Sequence, residues 1–91
     1  MKLEEKEIKK RLKNLEDWRY EDNALQVSYE FDDFKDAFTA MTRIAFEAEK
    51  LQHHPNWSNV YNNLEIELTT HDEGGVTKKD FELAHIIDEL I

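Results

Sequence analysis

The chain has 91 residues, with 12 Lys plus Arg against 21 Asp plus Glu and a formal net charge of -9. That length suits a single domain, 1–91, with a modest core, and no stretch approaches the ~18 apolar residues of a membrane span. Cysteine is absent, which excludes a disulfide framework, thiolate metal sites and a Cys nucleophile. Hydrophobic residues make up 40% of the chain, enough for a folded core. The N-terminus Met1-Lys2-Leu3-Glu4-Glu5-Lys6 has no apolar run of the secretory kind, so a cytoplasmic location is expected. The acidic balance argues against nucleic acid, where phosphate contacts need clustered cations, and no membrane partner is expected. Residues 1–14 are a local exception, with six Lys or Arg and three Glu, and read as the solvated face of a helix.

Residues 3–16 are expected to be helical, because Ile8, Leu12 and Leu15 form one narrow apolar stripe. The period then changes. Leu25, Val27, Tyr29 and Phe31 alternate with Gln26, Ser28 and Glu30, and Glu21-Asp22-Asn23 is turn-like, so residues 17–31 predict a hairpin. Asp32 or Asp33 caps a second helix, whose stripe is Phe34, Ala37, Phe38, Met41, Ile44 or Ala45, Ala48 and Leu51. That helix must end near Pro55, since a residue before proline is pushed out of the α region. Leu64, Ile66 and Leu68 alternate with Glu65, Glu67 and Thr69, a strand that Asn62-Asn63 turns back on a short one at residues 58–61. Thr77-Lys78-Lys79-Asp80 fits a capping box and opens a last helix, with Leu83, Ile86 or Ile87, and Leu90 on its buried face, beside Phe81 and Ala84. The order α-β-β-α-β-β-α predicts an α+β two-layer sandwich, an antiparallel four-stranded sheet with helices on one face.

Three of the four histidines fall at the ends of these elements. His53 and His54 end the long helix before Pro55, and His71 follows a strand; His85, inside the last helix, reads as structural or surface. Glu49 and His53 are four apart, so on a continuous helix they are neighbours. The pair is either an ordinary exposed contact worth a few tenths of a kcal/mol or a carboxylate that fixes an imidazole tautomer and favours its protonated form. Asp80 likewise reads as a helix cap, as a supporting carboxylate, or as both. Gly74-Gly75 most simply supplies positive φ in a tight loop; no Lys-Ser/Thr follows it as in a phosphate-binding loop. The adjacent His pair lacks the usual His-x3-His ligand spacing, so no metal is expected. Ser28 and Ser58 are the only serines, and neither sits in a nucleophile elbow.

The run Glu49-Lys50-Leu51-Gln52-His53-His54-Pro55-Asn56-Trp57, then Asn59-Val60-Tyr61, then Thr70-His71-Asp72 with Gly74-Gly75, then Asp80, resembles the pterin-4a-carbinolamine dehydratases. The pattern of that family is an acidic or similar residue, three residues, His-His-Pro, an aromatic, a His and then an Asp, and every position has its match here. The resemblance extends from about residue 12 to the end, and the first eleven residues match nothing specific. It implies a hydro-lyase that dehydrates a 4a-hydroxytetrahydropterin to a quinonoid dihydropterin, recycling the cofactor of aromatic amino acid hydroxylases. Hydroxide leaves carbon poorly, so an acid must protonate it while a base takes a ring proton. Imidazoles, with an unperturbed pKa near ~6.5, suit both jobs at neutral pH. The resemblance implies His53, His54 and His71 as the catalytic or substrate-contacting set, supported by Glu49, Pro55 and Asp80. Trp57 either packs beside the planar pterin or is core. No cofactor is implied. The same resemblance implies a homodimer or homotetramer, and it leaves two other readings open: a dimerisation-cofactor module of the same fold, and a pterin-binding protein of another pathway.

Overall fold

The two periodicities resolve into the expected order in a computed structural model that describes residues 1–91. The elements are α1 (Glu5–Leu12), β1 (Arg19–Glu21), β2 (Ala24–Glu30), α2 (Phe34–Leu51), β3 (Asn56–Val60), β4 (Asn63–Leu68) and α3 (Lys78–Leu90), with a turn of 3-10 helix at His71–Glu73 before α3. The four strands form one antiparallel sheet in the order β1-β2-β4-β3. Alternation decides which face is covered. Leu25, Val27, Leu64, Ile66 and Leu68 are buried, and Ser28, Glu30, Ser58 and Glu65, which point the other way, are exposed. Register places Val27 opposite Ile66 and Ile66 opposite Trp57, so one row of the inner face runs across three strands. Ile8 of α1, Ile44 and Ala48 of α2, and Leu83, Ala84 and Ile87 of α3 close over that face in one hydrophobic cluster. Each fully buried Leu or Ile contributes about 1.5–3 kcal/mol over its exposed state.

Local chemistry explains most boundaries. Asp22 and Asn23 both adopt positive φ (53° and 62°), the pairing that a two-residue hairpin turn requires. Asp33, rather than Asp32, caps α2, its side chain accepting from the Asp36 N–H at 2.8 Å. The turn between β3 and β4 falls at Tyr61-Asn62, one residue earlier than the Asn62-Asn63 expected, with Tyr61 at φ 53°. The first helix is shorter than residues 3–16: it stops at Leu12, and Leu15 is buried from the turn that follows.

The α2 stripe is narrower than its sequence suggests. Ala37, Ile44 and Ala48 are buried, but Phe34, Phe38 and Phe46 are 50%, 57% and 67% exposed. The small side chains at 37 and 48 let the helix sit close to the sheet. The three rings then fall on its outer flank.

At the opposite end, Trp18 Nε1 and the Tyr29 hydroxyl both donate to one oxygen of Asp88, at 2.9 and 2.8 Å, tying the hairpin to the last turn of α3. Burial, then the hydrogen bond and charge of Asp88, push the Tyr29 phenol well above its ordinary value. The fold therefore favours the neutral phenol. Its contribution is full below the unfolded-state value of ~10 and is lost as pH rises beyond it. The stability gap between the protein and Tyr29→Phe is expected to narrow from about pH 9 to pH 11 in denaturant titrations; a constant gap would contradict this reading.

Candidate active site

The end of α2 sets the direction of the histidine pair. The Gln52 N–H bonds to the Glu49 carbonyl and the His53 N–H to the Ala48 carbonyl, both at 3.1 Å, with Gln52 in the left-handed region at φ 54°. This is a Schellman closure. It carries a non-glycine residue at a position that costs an L side chain about 1 kcal/mol. The Gln52 side chain offsets part of that by donating to the Glu49 carbonyl at 2.7 Å. Because the chain leaves the helix at Gln52, His53 does not continue the helical face of Glu49. The pairing expected from the i,i+4 spacing is replaced by two others. Glu49 Oε1 meets His54 Nε2 at 2.9 Å, and His53 Nε2 meets Asp80 Oδ1 at 2.5 Å.

Asp80 is fully buried, and the His53 side chain is 10% exposed. Asp80 caps α3 and also faces His53. As the third residue of α3 it accepts the Thr77 N–H on Oδ2 at 2.8 Å, completing a capping box in which Thr77 Oγ1 accepts the Lys79 N–H at 3.2 Å. The same Oδ2 accepts the Thr70 hydroxyl at 2.8 Å, and Oδ1 faces His53. A carboxylate here also complements the positive end of the α3 dipole. One carboxylate thus joins the end of α2, the segment after β4 and the start of α3. His71 follows Thr70 directly in the chain, so its backbone adjoins this junction while its side chain is exposed.

The loop beyond His71 is held from two sides. Thr70 pairs with Gly75, the Asn23 side-chain N–H donates to the Gly74 carbonyl at 2.9 Å, and the Leu3 N–H donates to the Val76 carbonyl at 2.7 Å. Gly74 supplies the expected positive φ, at 79°. Gly75 matters for a different reason, because a Cβ there would come within 3.0 Å of the Asn23 side-chain oxygen.

His71 and His54 are exposed. Pro55 is half-buried and immediately precedes β3. Trp57 packs against the core and also lines a groove of about 480 Å³ with Phe38, Met41, Phe46 and Glu49, so its two readings are compatible. His85 lies apart from this junction and is exposed, lining a cleft beside Tyr29 and Asp88. No group of three or more His, Asp or Glu is arranged to hold a metal ion.

The family model described as pterin 4 alpha carbinolamine dehydratase matches residues 1–90. The chain belongs to that family. A relative from Christiangramia forsetii, assigned to these dehydratases by name, is 56% identical over 90 residues, covering 99% of this chain and 93% of its own. One from Sulfolobus acidocaldarius, similarly named, is 44% identical over 90 residues and 99% of each chain. A crystal structure from Brucella melitensis, titled as a transcriptional coactivator/pterin dehydratase, superposes with a TM-score of 0.96 at 39% identity, covering 99% of this chain and 98% of that one. The dehydratase fold expected from the resemblance is therefore the fold this chain adopts. Two side chains of the junction were not singled out in the sequence for chemistry, the hydroxyls of Thr70 and Thr77. The capping-box pattern marks Thr77, whereas nothing local marks Thr70, whose partners lie seven and ten residues away.

Proposed function

We propose that residues 1–91 act as one dehydratase domain that converts a 4a-hydroxytetrahydropterin to its quinonoid dihydropterin by histidine acid–base catalysis, in the recycling of tetrahydropterin. The observation that carries the reading is the His53–Asp80 pair at the junction it shares with Thr70-His71. An imidazole held by a buried carboxylate is an oriented proton carrier. A second imidazole from a different element allows one ring to serve the leaving hydroxyl while the other serves the pterin ring nitrogen. His54, steadied by exposed Glu49, is assigned to binding. The chemistry moves two protons and releases water, so it asks for no electron acceptor and no metal.

The test is stopped-flow dehydration of a synthetic 4a-hydroxytetrahydropterin, before and after dialysis of the protein against a chelator. Catalysed decay that survives the chelator supports the proposal. Decay at the uncatalysed rate rejects the dehydratase reading, and loss of activity restored by stoichiometric zinc rejects the metal-free one.

A homo-oligomer is part of the proposal. Phe34, Phe38 and Phe46 present an apolar flank on α2, and β1 and β3 are free sheet edges whose backbone groups a second copy can satisfy. Such contacts are little screened, whereas exposed charges more than ~10 Å apart are largely screened near 0.1 M salt. Light scattering is expected to give a dimer or tetramer both at low salt and in 1 M salt, and a smaller species for Phe38→Glu with Phe46→Glu. A monomer at both salts rules out the oligomer, and an oligomer lost only in high salt rules out its apolar origin. The dimerisation-cofactor reading takes over if the oligomer persists while no dehydration is catalysed.

A further inference from the structure

The hydroxyls around Asp80 run in one direction, and that direction has a consequence for His53. Thr77 Oγ1 accepts the Lys79 N–H at 3.2 Å and lies 2.8 Å from Thr70 Oγ1, which in turn lies 2.8 Å from Asp80 Oδ2. Each hydroxyl has one proton to give. If Thr77 donates to Thr70 and Thr70 to Asp80, every proton finds an acceptor. If the chain ran the other way, the Thr77 proton would have no acceptor, although Thr77 is buried. The forward direction places two donors, the Thr70 hydroxyl and the Thr77 N–H, on Oδ2. Hydrogen bonds to a carboxylate favour its ionised, acceptor-only form. Oδ1 then accepts as well, so the hydrogen facing it belongs to His53 Nε2.

The other ring nitrogen follows from accounting. His53 Nδ1 has no hydrogen-bond partner, yet no fully buried side-chain nitrogen or oxygen lacks one, so Nδ1 is not sealed inside the protein. We propose that Thr70 is a positioning residue: with Thr77 behind it, its hydroxyl holds Asp80 as a pure acceptor, fixes the proton of neutral His53 on Nε2, and leaves Nδ1 as the nitrogen that exchanges a proton with substrate. This deepens the catalytic reading of His53 and rests on it. It also gives the residue before His71 a task of its own, linking the two histidines through one side chain.

The test reads the ring directly. Long-range ¹H–¹⁵N spectra of histidine-labelled protein, titrated into alkaline solution where the ring is neutral, are expected to show the His53 proton on Nε2. In Thr70→Val, which keeps the shape and removes the hydroxyl, the His53 signals are expected to move toward a mixture of the two tautomers. Its kcat should fall about tenfold, the scale of one hydrogen bond to a charged group, with KM changed less than threefold. Thr70→Ser should restore both readouts. A neutral His53 protonated on Nδ1 in the unaltered protein overturns the proposal with no variant needed, and so does an unchanged tautomer in folded Thr70→Val. A shifted tautomer with unchanged kcat removes His53 from the chemistry and overturns the catalytic reading instead, so the two failures are distinguishable.

Discussion

His53→Ala and His71→Ala are each expected to lower kcat for pterin dehydration by about 10²–10⁴-fold, the usual worth of one positioned proton transfer. His54→Ala should instead raise KM by several fold and leave kcat nearly unchanged. The difference follows from how the three rings are held. His53 is locked on a buried carboxylate at 2.5 Å, whereas His54 leans on an exposed Glu49 that solvent competes for. His71 has no such partner, but its loop is clamped by Thr70, Asn23 and Leu3, which fixes the backbone that presents it. Single-turnover kinetics over a range of substrate concentration separates the two effects. If His53→Ala and His71→Ala both kept kcat within about threefold, proton transfer would have to be reassigned. If His54→Ala lost as much kcat as His53→Ala, the division between chemistry and binding would go.

The elements were legible because their patterns are local. Alternation at residues 25–31 and 64–69, and the capping box at Thr77, record contacts within a few residues of each other, and the structure reproduces them. The exposed Phe34 and Phe38 were not legible, because apolar spacing shows that a face exists and not whether this chain or a second copy covers it. The site divides the same way. Its histidines stand at element ends, where sequence spacing shows them, but their partners depend on how those ends meet. A single left-handed residue, Gln52, turned His53 away from Glu49 and onto Asp80, and no i,i+4 rule anticipates that. Asp80 was visible as a cap, and its second role required the end of α2 to be in place. The hydroxyl contacts of Thr70 were invisible for the same reason, since both cross a loop.

In the proposed mechanism Asp80 serves both stability and chemistry, and two substitutions separate them. Asp80→Ala removes the capping acceptor, strands the Thr77 N–H and the Thr70 hydroxyl, and leaves His53 without its partner. Removing one member of a buried, hydrogen-bonded pair costs about 3–5 kcal/mol, a large share of the 5–15 kcal/mol by which domains are typically stable. Asp80→Asn keeps the shape. Its amide oxygen is expected to turn to the two donors now on Oδ2, because an NH₂ group there would face an N–H and an O–H. The amide N–H then faces His53 Nε2, which must accept, and the ring proton moves to Nδ1, the nitrogen assigned to substrate. Stability should therefore fall by only about 1–2 kcal/mol, because all three hydrogen bonds survive in weaker, neutral form while the cost of burying a charge is removed. The kcat should nonetheless drop about 10²–10⁴-fold, since a misplaced tautomer disables an otherwise intact imidazole. Denaturant titration and stopped-flow dehydration on the same two variants check this. Asp80→Ala within about 1 kcal/mol of the unaltered protein would mean that the buried network contributes little to the fold. Asp80→Asn with undiminished kcat would mean that the carboxylate holds His53 in place without setting which nitrogen carries the proton.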